Sequence, residues 1–329
     1  MRRFFILLFF LQAGLISPVA RGDPEPPATA SRPVVFLPQW SPQAQFAGYY
    51  MAQEKGFYAR RGLAVNIPRG GADYPPMAYL AEKKADFVTD FLVNAVRKKA
   101  EGLDLVNIAQ IVQRSSLLLV AKKSSGIRTV QDFSGKKISI WSNFSLQPQA
   151  LFRKYHLTVQ IVPQTYSMNL LLRDAVSVSS AMWYNEYHTL INSGLDEEDL
   201  QVFFFSDYGL NFPEDGIYCL RETWLARRSL CCDFVDASLE GWRYAFEHAE
   251  ETLDVVMRHV EEANIASNRM NQRWMLNRMR DIIMPSGQAD ALGVLREEDF
   301  DSVIREMVAN QIISQSLSIT DFHENCATR

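Results

Sequence analysis

The 329-residue chain reads as an α/β protein of two lobes joined by a hinge, with a ligand cleft between them. Three observations carry this reading. Short apolar strands alternate with helices through 34–121, the pattern of parallel βαβ units. After a polar break holding Gly126 and Gly135, "KKSSGIRTVQDFSG" at 122–135, the same alternation restarts and runs to 205. Beyond 220 the apolar residues recur at three- and four-residue spacing, which is helical throughout. A composition of 47% hydrophobic and 22% charged residues leaves enough apolar surface for a sizeable core.

The first residues are expected to lie outside that fold. Arg2 and Arg3 precede the apolar run 4–11, and the small residues Ala20 and Gly22 suit a signal-peptidase site, so 1–22 reads as a cleaved signal and the mature chain as exported. The run is shorter than the ~20 residues a spanning helix needs. A Pro-, Ala- and Ser-rich leader occupies 23–32. Removing 1–22 takes away three arginines and leaves 31 Lys plus Arg against 38 Asp plus Glu, a net charge of −7. That balance, with no clustered basic and aromatic face, argues against nucleic acid as a partner.

In order, strands are expected at 34–37, 64–67, 86–89, 105–111 and 117–121, with helices at 43–60, 75–84 and 91–101 between them. The second lobe reads as strands at 136–141, 158–162, 176–182 and 201–205, with helices at 147–156, 168–174 and 186–193. A faint echo joins the two halves: a helix ending at Lys84 or Asp174, then "ADFVTD" or "AVSVSS", then an aromatic. A last strand at 216–220 precedes helices at 234–250, 252–264, 268–284 and 297–310, with Asp233 as the expected N-cap of the first. Helices that come after the second lobe must pack somewhere. The economical arrangement returns them to the first lobe, giving one lobe of 33–122 plus 217–329 and another of 123–216, with crossings near Lys122 and 215–218.

Ligands of open α/β sheets sit beyond the carboxyl ends of strands, and two facing lobes make a cleft from those ends. Trp40 and Ser41 follow the first strand, Asp90 and Asn94 the third, Trp141 and Asn143 the sixth, and Trp183, Tyr184 and Glu186 the eighth, while Glu214 and Asp215 precede the return. Aromatic faces can sandwich a flat ring, and carboxylates accept from its amino or ring N–H groups. An oxyanion would instead call for arginine, lysine or backbone N–H groups. Each of these residues also has a plain structural role open to it. The aromatics can belong to the core, Glu186 can cap the helix it opens, and Asp90 and Asp215 can cap the helices or turns after them. No nucleophile elbow, phosphate-binding P-loop, HExxH or CxxC pair is present. The five histidines are scattered, and Cys219, Cys231, Cys232 and Cys326 are not spaced as zinc ligands, although an exported chain could form disulfides among them in any pairing.

The segments "QWSPQAQFAGYYMAQEKGFYARRGLAVNI", "KADFVTDF", "VNIAQIVQRS", "VQDFSGKKISIW", "MWYNEYHTLINSG" and "NFPEDGIY" occur in that order over 39–218. Together they resemble the thiamine-pyrimidine-precursor branch of the alkanesulfonate, nitrate and thiamine-precursor binding proteins. The resemblance implies a type II periplasmic-binding-protein fold and a monomer without a cofactor. It further implies delivery of a formyl-aminopyrimidine or hydroxymethylpyrimidine to an ABC permease in the inner membrane. It also implies ring contacts from Trp40 and from Trp183 or Tyr184, acceptors at Glu186 and Asp90, and secondary contacts from Asn143, Asp215 and Tyr49. A related enzyme, thiamine-pyrimidine synthase, carries pyridoxal phosphate on a lysine beside a histidine. The resemblance puts Asp90 and Asn94 at those two positions, and a carboxylate cannot form a Schiff base. An enzyme of that kind, a receptor for another solute such as a sulfonate, and a sensory protein are the alternatives.

Overall fold

The computed structural model describes residues 33–285 and 292–326. The expected signal peptide and leader, 1–32, lie outside the described residues.

Two five-stranded sheets form the frame. The first sheet contains β1 (Val34–Leu37), β2 (Val65–Asn66), β3 (Phe87–Phe91), β4 (Leu105–Gln110) and β10 (Asp215–Leu220), in the order β2-β1-β3-β10-β4. The second contains β5 (Leu117–Lys122), β6 (Lys137–Ile140), β7 (Gln160–Pro163), β8 (Val178–Met182) and β9 (Leu200–Phe204), in the order β7-β6-β8-β5-β9. The two orders match position for position. In each sheet the fourth strand enters from a chain crossing and runs antiparallel to both neighbours, β10 between β3 and β4, and β5 between β8 and β9. The expected all-parallel grammar therefore holds only for β1 to β3 and β6 to β8.

This strand exchange moves one expected boundary. β5, assigned to the first lobe from sequence, hydrogen-bonds to β8 and β9, so the first crossing lies in 111–116 rather than near Lys122. Apolar periodicity showed that a strand was there but not which sheet would take it. The echo between the halves has a backbone basis. Lys83 and Asp174 both take positive φ, 56° and 55°. The N–H groups of Lys84 and Ala85 then converge on the Tyr79 carbonyl, as those of Ala175 and Val176 do on that of Leu170. The same chain reversal feeds β3 and β8.

Helices cover the sheets: α1 (Ala47–Glu54), α2 (Pro76–Ala81), α3 (Leu92–Ala100), α4 (Leu146–Lys154), α5 (Asn169–Leu172), α6 (Glu186–Asn192) and α7 (Arg221–Ala226). The long C-terminal set consists of α8 (Arg228–Glu247), α9 (Ala249–Glu262), α10 (Arg269–Ile283), α11 (Glu297–Ala309) and α12 (Ile319–Phe322). The expected helix at 43–60 divides into a short 3-10 turn, α1 and a turn ending at Gly62, which takes φ 71°. Asp233 is not an N-cap: α8 begins five residues earlier, directly after the chain breaks at Arg227.

The helix α8 packs on α1 across two glycines. A Cβ on Gly48 would lie 2.2 Å from the Trp242 ring, and one on Gly241 would lie 2.1 Å from the Gly48 carbonyl, so only glycine permits this approach. Beneath them Phe36, Tyr49, Phe87, Phe234 and Trp242 fill the first lobe's core, with Phe87 and Phe234 stacked at 4.3 Å. Cys232 in α8 is disulfide-bonded to Cys326, and Cys219 and Cys231 are buried thiols.

Candidate functional site

The third strand delivers its last residues to the gap between the lobes. β3 is buried along its length through Asp90, and α3 starts two residues later, bringing Asn94 and Arg97 to the same rim. From the second lobe, β6 ends at Ile140 and a 3-10 turn, Ser142–Phe144, leads into α4. Between them passes the returning segment Phe212, Pro213 and Glu214, which enters β10. These three parts enclose a cavity of about 390 Å³. Phe91 and Phe144 meet edge to face across it at 4.9 Å.

Three carboxyl groups are buried here. Asp90 accepts from the Phe91 N–H at 2.8 Å and from the Asn94 amide, whose oxygen in turn accepts from Arg97. Burial pushes the Asp90 carboxyl up to about 7 against the lowering effect of those bonds. Asp215 pairs with Phe91 in the ladder and accepts from Gln39 and Gln45 at 2.5 and 2.8 Å; burial raises it to about 6. Glu214 faces the opposite crossing. Its Oε1 accepts from the N–H groups of Ser116 and Leu117 at 2.5 and 3.1 Å, and its Oε2 accepts from the Ser116 hydroxyl at 2.8 Å. Burial, and then the charge of Asp215, raise Glu214 to about 7.

Of the eight residues singled out from sequence, Asp90 and Asn143 line this cavity. Asp215 adjoins it through the β3–β10 ladder. Tyr184 is buried near Glu214, Asp215 and Glu186, whose charges add to burial in holding its hydroxyl well above the ordinary value. The others stand elsewhere. Trp40 packs 5.9 Å from Tyr166, a second-lobe residue, and does not line the cavity. Tyr49 is a core residue between Phe36 and Trp242. Trp183 lies edge to face with Phe204 under the Arg278 guanidinium, and its carbonyl accepts from the Trp274 indole. Glu186 accepts from the Met182 N–H at 3.0 Å and from the Asn185 amide at 2.9 Å, both within the turn that joins β8 to α6. No tryptophan among the described residues lines this cavity, whereas Phe91, Phe144 and Phe212 do.

Sequence reasoning placed Glu214 beside a strand end without selecting it, and it passed over Phe91, Phe144 and Arg97. For Glu214 the signal was an acid pair immediately before a strand that changes lobes.

A family model described as "NMT1/THI5 like" matches residues 43–252. The chain belongs to the NMT1/THI5-like family. Among relatives of this NMT1/THI5-like chain, the riboflavin-binding protein RibY of Chloroflexus aurantiacus is 24% identical over 76% of this chain and 72% of its own. The 4-amino-5-hydroxymethyl-2-methylpyrimidine phosphate synthase of Schizosaccharomyces pombe is 23% identical over 60% of this chain, which spans about half (55%) of that enzyme's length. Among solved structures, the periplasmic aliphatic sulphonate binding protein SsuA of Escherichia coli superposes with a TM-score of 0.66 at 14% identity, covering 88% of this chain and 90% of SsuA. The fold is that of the two-lobed periplasmic binding proteins, type II. The two positions that the resemblance assigns to the synthase's lysine and histidine hold Asp90 and Asn94 here, and a carboxyl group carries no amine for a Schiff base.

Proposed function

We propose that this NMT1/THI5-like chain is an exported solute-binding protein that captures a thiamine-related aminopyrimidine between its lobes and delivers it, as a monomer, to an ABC permease. The observation that carries the reading is the cavity itself, lined by residues of both lobes and of the returning hinge segment, with an aromatic pair and two buried carboxyl groups on its walls. Phe91 and Phe144 can hold a ring by face or edge. Asp90 and Glu214 can accept from amino and ring N–H donors, and charged hydrogen bonds in a desolvated site are worth roughly 1.5–3 kcal/mol each. At about 390 Å³ the cavity stands near the small end of ligand pockets and suits one ring with short substituents. The Cys232–Cys326 disulfide suits an oxidising compartment and supports export with removal of 1–22.

A second reading rests on RibY, the relative aligned over the larger share of both chains: a flavin is also a flat nitrogen heterocycle. A synthase activity is disfavoured by the carboxyl group of Asp90. The deciding experiment is a thermal-shift and tryptophan-quench titration of the chain from Asp23. The panel is hydroxymethyl-aminopyrimidine, its formylamino relative, thiamine, riboflavin, an alkanesulfonate and nitrate. Saturable stabilisation by an aminopyrimidine is the expected result. A response confined to riboflavin would move the assignment to flavins, and one confined to the anions, or none, would overturn it.

A further inference from the structure

We propose that the ligand of the interlobe cavity binds as a cation, with Asp90 of the first lobe and Glu214 of the hinge segment as its counter-charges. This deepens the reading above and rests on the cavity being the ligand site.

Every partner these carboxyl groups have in the structure is neutral. Asp90 is met by a backbone N–H and the Asn94 amide, Glu214 by two backbone N–H groups and the hydroxyls of Ser115 and Ser116, and Asp215 beside them by two glutamine amides. No ion pair involves any of the three among the described residues. The ladder holds them together: Asp215 is opposite Phe91, and Gly216 is opposite Asp90. Among the described residues, the one basic side chain on the cavity wall is Arg97. It is half-exposed, donates to the Asn94 oxygen and lies 3.8 Å from Glu101; its charge favours the ionised Asp90 only as the smallest of the effects on that group and is shared with a surface acid. The N-terminus of α3 offers Asp90 a partial positive charge through the Phe91 N–H. No described element does the same for Glu214 from the first lobe.

Buried carboxyl groups without a counter-charge are costly, and the charge of Asp215 beside them adds to that cost for both. A neutral ligand could satisfy their lone pairs but not their charge, and an anion would add a further negative charge. A planar cation with N–H donors on more than one edge satisfies both. Acceptor capacity remains for it: Glu214 Oε2 accepts one bond, from the Ser116 hydroxyl, and a carboxylate oxygen takes two. The class is therefore an amidinium-like or ring-protonated amino-heterocycle. An aminopyrimidine enters it by taking one proton from solvent onto a ring nitrogen lone pair. Because Glu214 also bonds the Ser116 and Leu117 N–H groups, such a ligand would contact the hinge as well as the first lobe.

Three isosteric probes of different charge test this by calorimetry at pH 7.5: benzamidinium, benzamide and benzoate, alongside hydroxymethyl-aminopyrimidine. Benzamidinium is expected to bind about tenfold or more tightly than benzamide, with benzoate not binding. The preference should fall below about threefold in Asp90→Asn and in Glu214→Gln, with unchanged circular dichroism. Benzamide or benzoate binding as well as benzamidinium, or no binding by benzamidinium, overturns the proposal. The wild-type ranking decides alone if a variant does not fold. Benzamidinium binding without any aminopyrimidine would keep this inference and remove the aminopyrimidine assignment. Aminopyrimidine binding in a protein indifferent to probe charge would do the reverse.

Discussion

Asp90 and Glu186 are both acids placed where a strand gives way to a helix, and their surroundings give them different work. Glu186 is turned back onto the Met182 N–H and the Asn185 amide, so its carboxylate is occupied by its own turn. Asp90 accepts the same two kinds of bond, from the Phe91 N–H and the Asn94 amide, but it lines the cavity and Glu186 does not. Glu186→Gln is accordingly expected to lower stability by about 1 kcal/mol, the usual net worth of a side-chain hydrogen bond, while ligand affinity stays within about twofold; a melt and a titration on one preparation check both. The strand-end rule found both acids but could not separate them. What separates them is β10. Its insertion beside β3 sets Glu214 and Asp215 next to Asp90, a contact across more than a hundred residues that no local pattern carries. Trp183 was singled out from sequence, but its packing partners were not legible there, for a similar reason. Trp274 and Arg278 of α10 reach it, and the spacing of apolar residues along α10 does not tell which lobe's tryptophan they meet.

The helices added after the second lobe do more than thicken the first. α8 closes on α1 through Gly48 and Gly241, and Gly241→Ala would force its methyl into the Gly48 carbonyl. A loss of about 2–3 kcal/mol is expected, in the range of overpacked cores, read as a lower denaturant midpoint with no change in ligand selectivity. The same helix holds the disulfide to Cys326 across 94 residues. Reduction, or Cys326→Ser, should cost about 2–5 kcal/mol and lower the melting temperature of the oxidised protein only. α10 bridges to the second lobe: its Trp274 stacks on His188 at 4.9 Å and its Asn271 meets the His188 ring nitrogen. The apolar spacing showed that α8 to α11 were helices, and it placed their ends within a few residues except at Asp233. It could not show that α10 would span the cleft, because both faces of that helix carry side chains able to pack.

For the protein taken together, the raised carboxyl groups make stability depend on pH. A carboxyl whose folded value lies above its unfolded value holds its proton better when folded. Its contribution is therefore full below the unfolded value and is lost as pH rises through the folded one. Asp90 and Glu214, at about 7, and Asp215, at about 6, all act in this sense. The histidines His259 and His323, lowered by burial, oppose them below pH 6.5 but add little above it. Between pH 6.5 and 8 the ligand-free protein should thus lose on the order of 1–2 kcal/mol, seen as a fall of roughly 2–5 °C in Tm. Asp90→Asn should remove roughly half of that slope. Two lobes and a cleft were legible from the repeated alternation, because strand and helix periods are local properties. The exchange of one strand between the sheets was not, since β5 and β10 are as apolar as any central strand and either sheet could have accepted them.

The two crossings, 111–116 and 205–214, lie side by side and are tied together. The Ile111 and Val112 N–H groups donate to the Asp215 carbonyl, the Ser115 N–H to Asn211, the Asn211 amide to the Gln113 carbonyl, and the Glu214 carboxylate accepts across the pair. Two straps bound edge to edge act as a door hung on two pins. Such a pair is expected to bend more easily about the axis that joins them than to twist, because twisting would shear the bonds between them, and any swing must also part α10 from Trp183 and His188. Opening should therefore follow a single swing, and a solute leaving the cleft would find one exit direction rather than many.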